Sequence, residues 1–313
     1  MKVGIIGGGV IGMTCGVVLA EAGHEVHIFS KDSFEATTSH AAGAICYPFG
    51  VEESERVIGW FLRSQEVFQN LKSIPEAGIF EARWRRLSVN SDVELPFWFS
   101  AASGGRRLVS GDPALIAPYR GGLAADFLIV GVDRYLPYLM DRFVSAGGVY
   151  KKKQIGNHQE IASDFDALVN ATGIGARAFS RDAGVYPARG QAVVVKNPGI
   201  EWHTALAEKK FYLYPRGEQC LLGGSFDVNE WDLTPDDALT RDILAWAASI
   251  EPKLAKPEII DVRVGLRPMR ETVRLERKVL PCGTPFIHNY GHGDAGYALS
   301  WGCAETVHLI LQE

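Results

Sequence analysis

A glycine-rich segment near the start of the chain has the spacing that a phosphate-binding turn requires. Gly7, Gly9 and Gly12 fit the pattern Gly-x-Gly-x-x-Gly between an apolar run typical of a strand and one typical of a helix. In this context Gly7 would permit a tight turn, Gly9 would let a pyrophosphate approach the backbone, and Gly12 would let the helix pack on the strand. The amides at the positive helix end, with Val10 and Ile11, favour bound phosphates. The segment therefore predicts a dinucleotide site.

The end of the next predicted strand leaves the identity of the dinucleotide open. An acidic residue is expected there to bind the ribose hydroxyls, but the sequence has Ser30, Lys31 and Asp32. Asp32 would serve from a slightly shifted position, whereas Ser30 and Lys31 would favour the 2′-phosphate of NADP. The glycine pattern does not distinguish FAD, NAD and NADP.

Length and composition limit the class of protein. The 313 residues are 47% apolar and 22% charged, which is typical of a soluble globular chain of about two domains. The net charge of −5, with both signs interspersed, argues against a nucleic-acid binder. The uncharged stretch 3–20 contains six glycines, which argues against a membrane span. Five widely spaced cysteines without a Cys-x-x-Cys pair favour a reducing compartment, so we expect a cytoplasmic protein.

Hydrophobic periodicity predicts the elements that position these residues. A strand at 2–6, a helix at 10–22 and a strand at 25–29 would open a doubly wound sheet. Residues 37–48 are expected to be irregular. Further helices are predicted at 52–72, 135–146, 236–255 and 297–311, and further strands at 166–170, 192–195, 211–214, 220–222 and 286–288.

This order of elements predicts an α/β fold, with a Rossmann-like nucleotide-binding domain and an interleaved β-rich substrate-binding domain. The nucleotide signals lie at the start, near 166–176 and at the C-terminus, with β-rich segments between them. The predicted nucleotide-binding domain is discontinuous and comprises residues 1–50, 148–185 and 260–313. The predicted substrate-binding domain comprises residues 51–147 and 186–259.

Seven segments together resemble one known family. They are FIHNYGHGDAGYALSWGCA at 286–304, GLRPMR at 265–270 followed by VRLE at 273–276, YLYP at 212–215 with LGGSF at 222–226, VNATG at 169–173, and AGAICYP at 42–48. These segments occur in the family's order and extend over nearly the whole chain. The chain closely resembles the FAD-dependent D-amino acid oxidases, so the predicted cofactor is FAD.

The resemblance also implies how a substrate is held. Arg267 matches the family's substrate-carboxylate arginine, and a planar guanidinium can bind a carboxylate through two parallel hydrogen bonds. Tyr212 matches a tyrosine whose hydroxyl reaches the same carboxylate. Asp294 stands where the family usually has a small residue whose carbonyl receives the substrate ammonium, so its side chain would face solvent or bias amine binding. Glu208 replaces a tyrosine of the animal members' mobile loop, which predicts more open access.

A larger set of residues is implied to bind FAD. The set is Gly7, Gly9, Val10, Ile11, Gly12, Lys31, Asp32, Thr37, Thr38, Ala42, Gly43, Ala44, Thr172, Gly293, Asp294, Gly296, Tyr297 and Ala298. His288 and His292 have the spacing of a helical metal pair, but glycines flank His292, and we expect no metal.

The reaction implied by the resemblance is the oxidation of D-amino acids by dioxygen to 2-oxo acids, ammonia and hydrogen peroxide. Orientation of the substrate would come from Arg267 and Tyr212, with the hard chemistry supplied by the cofactor. An oxidase specific for D-aspartate or D-glutamate is an alternative, but it needs a second cation that the sequence does not identify. An oxidase of glycine or another small amine, an NADP-dependent dehydrogenase and an inactive nucleotide-binding protein are the remaining alternatives. The sequence does not indicate an oligomeric state.

Overall fold

The computed structural model describes residues 1–313 and contains seven helices and fifteen strands. The helices are α1 (Val10–Glu21), α2 (Thr38–Ala41), α3 (Glu55–Leu71), α4 (Val132–Ser145), α5 (Ala176–Phe179), α6 (Asp237–Ile250) and α7 (Gly296–Leu311). The strands are β1 (Lys2–Ile6), β2 (Glu25–Ser30), β3 (Ile79–Ser88), β4 (Ser103–Leu108), β5 (Gly121–Val130), β6 (Val149–Lys152), β7 (Ala167–Asn170), β8 (Tyr186–Lys196), β9 (Trp202–Leu206), β10 (Tyr212–Arg216), β11 (Gln219–Gly223), β12 (Asp227–Val228), β13 (Ile259–Met269), β14 (Arg274–Val279) and β15 (Pro285–Tyr290).

The first sheet has six strands in the order β14, β15, β7, β1, β2 and β6. Its strands run parallel except for β14, which pairs antiparallel with β15. Helices α1, α4 and α7 pack on one face, and the connection around Ile155–Phe165 covers the other. Because both faces are covered, the central strands are nearly continuous apolar runs. The predicted strand–helix–strand opening and the α/β fold class are confirmed.

The order of this sheet creates a crevice beside β1. This strand lies between β2 and β7, so the chain segments that follow the three strands leave the sheet at one edge. Ligands of open α/β sheets bind outside the carboxyl ends of the strands at such a switch point. The segments that leave here are the glycine turn after β1, the Ser30–Asp32 segment after β2, and Thr172 after β7.

The second sheet has nine strands in the order β12, β8, β11, β10, β9, β3, β5 and β4, with β13 paired along the other edge of β8. All pairs are antiparallel except β3 with β9. Helix α6 packs Ile243 and Ala247 against one face of this sheet, beside Phe211 and Leu213. Because side chains alternate along a strand, Tyr212 and its neighbours on the opposite face point toward a cavity.

Some elements differ from the sequence-based expectations. A single helical turn, α2, lies in the segment expected to be irregular, and α4 begins at Val132, three residues earlier than predicted. Helix α6 ends at Ile250, earlier than predicted, because Pro252 follows it and proline disfavours helical conformation in the residue before it. Strand β13 pairs with β8 of the second sheet, although most of it falls in the segment 260–313 assigned to the nucleotide-binding domain. The domain boundaries remain a prediction. None of the helices combines the length and the apolar character needed to cross a membrane.

Candidate active site

A cavity of about 1740 Å³ is lined by residues of both sheets. This volume exceeds the roughly 300–1,000 Å³ of ordinary small-molecule sites. Its wall contains the turn after β1 at one end and side chains of β3, β10 and β13 at the other. The cavity therefore has room for a dinucleotide and a small substrate together.

Two glycines of the turn after β1 have no space for a side chain. Gly7 has a φ of 120°, and a Cβ there would lie 2.2 Å from the carbonyl oxygen of Ala171. A Cβ on Gly12 would lie 1.9 Å from the carbonyl oxygen of Gly7. Gly9 would meet only the Ser39 hydroxyl, at 3.0 Å, and it lines the cavity. The turn is thus shaped by close backbone contacts beneath it and is open above Gly9.

The N-terminus of α1 points its first amides toward this opening. Such amides have no acceptor within the helix. The Val10 amide donates to Ser39 Oγ at 2.9 Å, and no acidic side chain lies in the first turn. The partial positive charge of the helix end is therefore available to a pyrophosphate. Sequence reasoning missed Ser39, which no local pattern identifies.

Most of the residues predicted to bind the cofactor line the cavity. The exceptions are Gly12, which is buried beneath the turn, and Ala298, which is buried in the core beside Trp60. Lys31 and Asp32 both line the cavity and form an exposed ion pair, with 3.4 Å between Nζ and Oδ2. The structure therefore brings both candidate ribose ligands to the site.

Besides the Trp84 indole nitrogen, two further buried polar atoms of residues that line the cavity have no hydrogen-bond partner in the protein. They are His292 Nε2 and Asn289 Oδ1. Burial lowers the pKa of His292 to about 3, so its ring is neutral at neutral pH. Buried polar atoms are normally hydrogen-bonded, so these two fit a wall that faces a polar bound group. Their positions, together with the glycine turn, fit a bound dinucleotide.

Arg267 lies on β13 at the other end of the cavity. Its guanidinium covers Gly190 of β8, where a Cβ would lie 2.1 Å from Nη1. Nε donates a short hydrogen bond to Asp294 Oδ1, and Nη1 donates to the carbonyl oxygen of Ser225 at 3.3 Å. Nη2 donates to no group of the protein. One edge of the guanidinium is thus paired, and one nitrogen remains free.

The Arg267–Asp294 pair is held in a largely desolvated wall, with 15% and 20% of the two side chains exposed. Burial alone would lower the pKa of the Arg267 guanidinium, but Asp294 and Tyr212 raise that pKa above its ordinary value. Burial raises the pKa of the Asp294 carboxyl, and Arg267 opposes that shift. The guanidinium therefore stays charged in the cavity.

Tyr212 lies beside this pair on β10. Its ring covers Gly223 of β11, where a Cβ would lie 1.9 Å from Cζ. The ring stacks on Tyr214, with 4.6 Å between the ring centroids. The Tyr212 hydroxyl has no hydrogen-bond partner in the protein, and burial raises its pKa, so it stays protonated. It is a free donor within the electrostatic reach of Arg267.

An aromatic wall that the sequence did not reveal extends from this point. The Tyr47 hydroxyl lies 3.2 Å from the Tyr214 hydroxyl, and the Tyr47 ring lies 4.9 Å from Trp98 and 5.5 Å from Trp84. Trp84 and Trp98 come from β3 and from the connection after it, and both line the cavity. Apolar rings exclude water, which strengthens charge interactions at this end.

The geometry offers a dinucleotide crevice, a free guanidinium nitrogen and a free hydroxyl in one cavity. A planar carboxylate suits the latter two donors.

Comparisons with known proteins agree with this arrangement. The model of a family described as FAD dependent oxidoreductase matches residues 2–308. D-amino-acid oxidase of Rubrobacter xylanophilus is 38% identical over 96% of this chain and 93% of that protein. D-amino-acid oxidase of Streptomyces coelicolor is 37% identical, with 97% and 94% covered. The solved glycine oxidase of Geobacillus kaustophilus has the same fold, with a TM-score of 0.85 at 21% identity and with 99% and 94% covered.

Proposed function

The chain belongs to the FAD dependent oxidoreductase family, and from this premise we propose that it catalyses the oxidative deamination of D-amino acids. Dioxygen accepts the two electrons and becomes hydrogen peroxide, and water hydrolyses the resulting imino acid to a 2-oxo acid and ammonia. Two relatives that match nearly its whole length are D-amino-acid oxidases, which favours this reaction over the others that the fold supports.

The residues at the dinucleotide end fit FAD. The α1 amides beyond Gly9 would bind the pyrophosphate, and Lys31 or Asp32 would bind the adenosine ribose. The segment Ala42–Ala44 would lie along the cofactor, because it lines the cavity between the glycine turn and the tyrosines of β10. When bound, FAD supplies a hydride acceptor and the route for electrons to dioxygen.

A free amino acid fits the charges at the substrate end. Its α-carboxylate would bind Nη2 of Arg267 and the Tyr212 hydroxyl, neither of which has a partner within the protein. Its α-ammonium would lie against Asp294, because ammonium and carboxylate are attached to one carbon and Asp294 adjoins Arg267. The observation that carries this proposal is the pair of unpartnered donors in the cavity wall.

These contacts would also select the enantiomer. Three fixed points (carboxylate, ammonium and side chain) define which way the α-hydrogen faces. The L-enantiomer can satisfy all three only with the α-hydrogen on the opposite side. Positioning of this kind is a large contribution that a protein makes when a cofactor performs the chemistry.

The proposal is tested by measuring peroxide and 2-oxo acid from purified, FAD-loaded protein with a panel of D- and L-amino acids and glycine. We expect turnover of D-amino acids, with the L-enantiomers inactive. A loaded protein that forms no peroxide with any D-amino acid would contradict it. Turnover restricted to glycine would favour the small-amine alternative, which the likeness to the solved glycine oxidase supports only at the level of fold. A cytoplasmic location stays a prediction.

A further inference from the structure

The cavity wall contains one arginine that is used neither by the site described above nor by a hydrogen bond within the protein. Three arginines line the cavity, namely Arg86, Arg177 and Arg267. Arg177 donates to two backbone carbonyl oxygens, and Arg267 is paired with Asp294. Arg86 donates to no group of the protein, and no carboxylate oxygen lies within 4.0 Å of it. It is the one arginine of the cavity without a partner, and unlike Lys153 and Lys209, which line the cavity unpaired but exposed, it is half-buried.

The strand geometry directs Arg86 into the cavity. Side chains alternate along β3, so Trp84, Arg86 and Ser88 share the face that lines the cavity. Glu208, beside the end of β3, already accepts hydrogen bonds from Ser88 Oγ and the Val89 amide. A half-buried cation without a partner is unfavourable, because partly desolvated charges are normally paired. No group of the protein pairs with the charge of Arg86, so this charge is available to a ligand.

The register of the sheet places Arg86 relative to the substrate end. Arg86 is opposite Ala205 on β9, and Ala205 is opposite Tyr212 on β10. Residues paired in this way share a face, so the Cα atoms of Arg86 and Tyr212 are two strand spacings apart, about 10 Å. Only the methyl group of Ala205 stands between them on that face. The guanidinium of Arg267 lies beyond Tyr212 in the other direction, over Gly190 on β8.

Two arginines thus flank Tyr212 on one wall, and only one of them, Arg267, already has a carboxylate partner. We propose that Arg86 binds the side-chain carboxylate of an acidic D-amino acid whose α-carboxylate binds Arg267. The chain then oxidises D-glutamate or D-aspartate in preference to their neutral amides. This inference rests on the proposed function, because it takes Arg267 and Tyr212 as the α-carboxylate site. It supplies the second cation that the sequence did not identify.

The aromatic wall supports the strength of this contact. Trp84 precedes Arg86 by two residues on the same face, and Tyr47 lies within the electrostatic reach of the Arg86 charge. Rings that exclude water lower the local dielectric, so an ion pair formed there is stronger than one in bulk water. A neutral amide of the same length gains no such attraction and leaves the cation unpaired.

The first test is the ratio of kcat/KM for D-glutamate to that for D-glutamine, which has the same length and no side-chain charge. The wild-type ratio should exceed one and should fall by about 30-fold or more in Arg86→Met, the loss expected when one partner of a buried charge pair is truncated. Arg86→Lys should retain part of the preference. Arg83→Met is the matched control, since Arg83 lies on the other face of β3, is 66% exposed and pairs with Glu201. Its ratio should equal that of the wild type.

The second test is binding without turnover. Glutarate and pentanoate differ by one carboxylate and have no amine to oxidise. The difference between their affinities, measured by calorimetry on FAD-loaded protein, therefore reports the binding of the second carboxylate alone. The wild type should bind glutarate more tightly, and Arg86→Met should lose that difference while keeping its FAD and its melting temperature. Equal ratios in wild type and Arg86→Met, or loss of FAD from Arg86→Met, would overturn the assignment. If the protein oxidises neutral D-amino acids but neither D-glutamate nor D-aspartate, this inference is rejected and the proposed function stands. No turnover of any D-amino acid would reject both.

Discussion

Arg267 and Asp294 form an ion pair in the cavity wall, although they are 27 residues apart in the chain, with Arg267 on β13 and Asp294 in the turn between β15 and α7. The pair presents a cation and an anion side by side, which matches the two charges of an amino acid zwitterion. Asp294 occupies the Nε edge of the guanidinium, and Nη2 stays free. The pair therefore orients the guanidinium and leaves room for a second carboxylate.

The Asp294 charge should control binding of the substrate ammonium. Burial raises the pKa of this carboxyl above its ordinary value, so as pH falls through that pKa the group becomes neutral and loses its attraction for the ammonium. The KM for D-alanine should therefore rise in the wild type as the pH falls through that raised pKa. Asp294→Asn should raise KM about 10-fold at neutral pH, equivalent to about 1.4 kcal/mol, and should remove the acidic rise. Steady-state kinetics against pH measures both. A variant whose KM profile coincides with that of the wild type would remove this role.

Gly190 should be required for substrate binding, because the Arg267 guanidinium packs directly on it. A Cβ at this position would be 2.1 Å from Nη1, so Gly190→Ala must displace the guanidinium. We expect KM for D-amino acids to rise at least about 10-fold, since a shift of one ångström impairs a positioned contact. Gly59→Ala is the control, because Gly59 lies in α3 with no atom near its Cβ. That change should leave the kinetics intact and stabilise the helix by up to about 1 kcal/mol. Equal KM values in the two variants would contradict the positioning.

Gly12 should be required for the cofactor. Its Cβ would lie 1.9 Å from a backbone oxygen of the turn, so Gly12→Ala must move either the turn or α1. Overpacking of this kind costs about 1–3 kcal/mol, and here it also distorts the phosphate-binding amides. The variant should purify with little FAD and bind added FAD at least about 10-fold more weakly. Flavin absorbance and fluorescence titration give both quantities. An unchanged dissociation constant for FAD would show that the turn does not bind the pyrophosphate.

The Tyr212 hydroxyl should contribute to carboxylate binding separately from its ring. Tyr212→Phe keeps the stacking on Tyr214 and removes only the free donor. A hydrogen bond to a charged group contributes about 1.5–3 kcal/mol, so KM for D-amino acids should rise at least about 10-fold with little change in melting temperature. Tyr119→Phe is a control, since Tyr119 packs in a separate cluster with Leu108 and Ala114. A KM that stays at the wild-type value in Tyr212→Phe would assign the hydroxyl no role.

The nucleotide-binding end of the cavity could be predicted from the sequence, because the pattern that specifies it lies within one short stretch of the chain. The strand, the three spaced glycines and α1 follow one another within a single stretch, and each step has a recognisable pattern. The substrate end depends on the register of the second sheet, which no local pattern specifies. The pairing of β13 with β8 places Arg267 over Gly190, and the pairings of β3 with β9 and of β9 with β10 align Arg86 with Tyr212. Sequence reasoning therefore proposed Arg267, Tyr212 and Asp294 as site residues by resemblance, but it missed the Arg267–Asp294 ion pair, the aromatic wall and Arg86.

The affinity of FAD-loaded protein for propanoate tests the central claim most directly, because this ligand has a carboxylate and no amine to oxidise. The change in flavin absorbance on titration reports its binding in the wild type and in Arg267→Ala. Removing one partner of a largely buried charged contact should weaken the affinity by at least about 30-fold. Equal affinities in the two proteins, with FAD still bound to both, would contradict the assignment of Arg267 to the α-carboxylate.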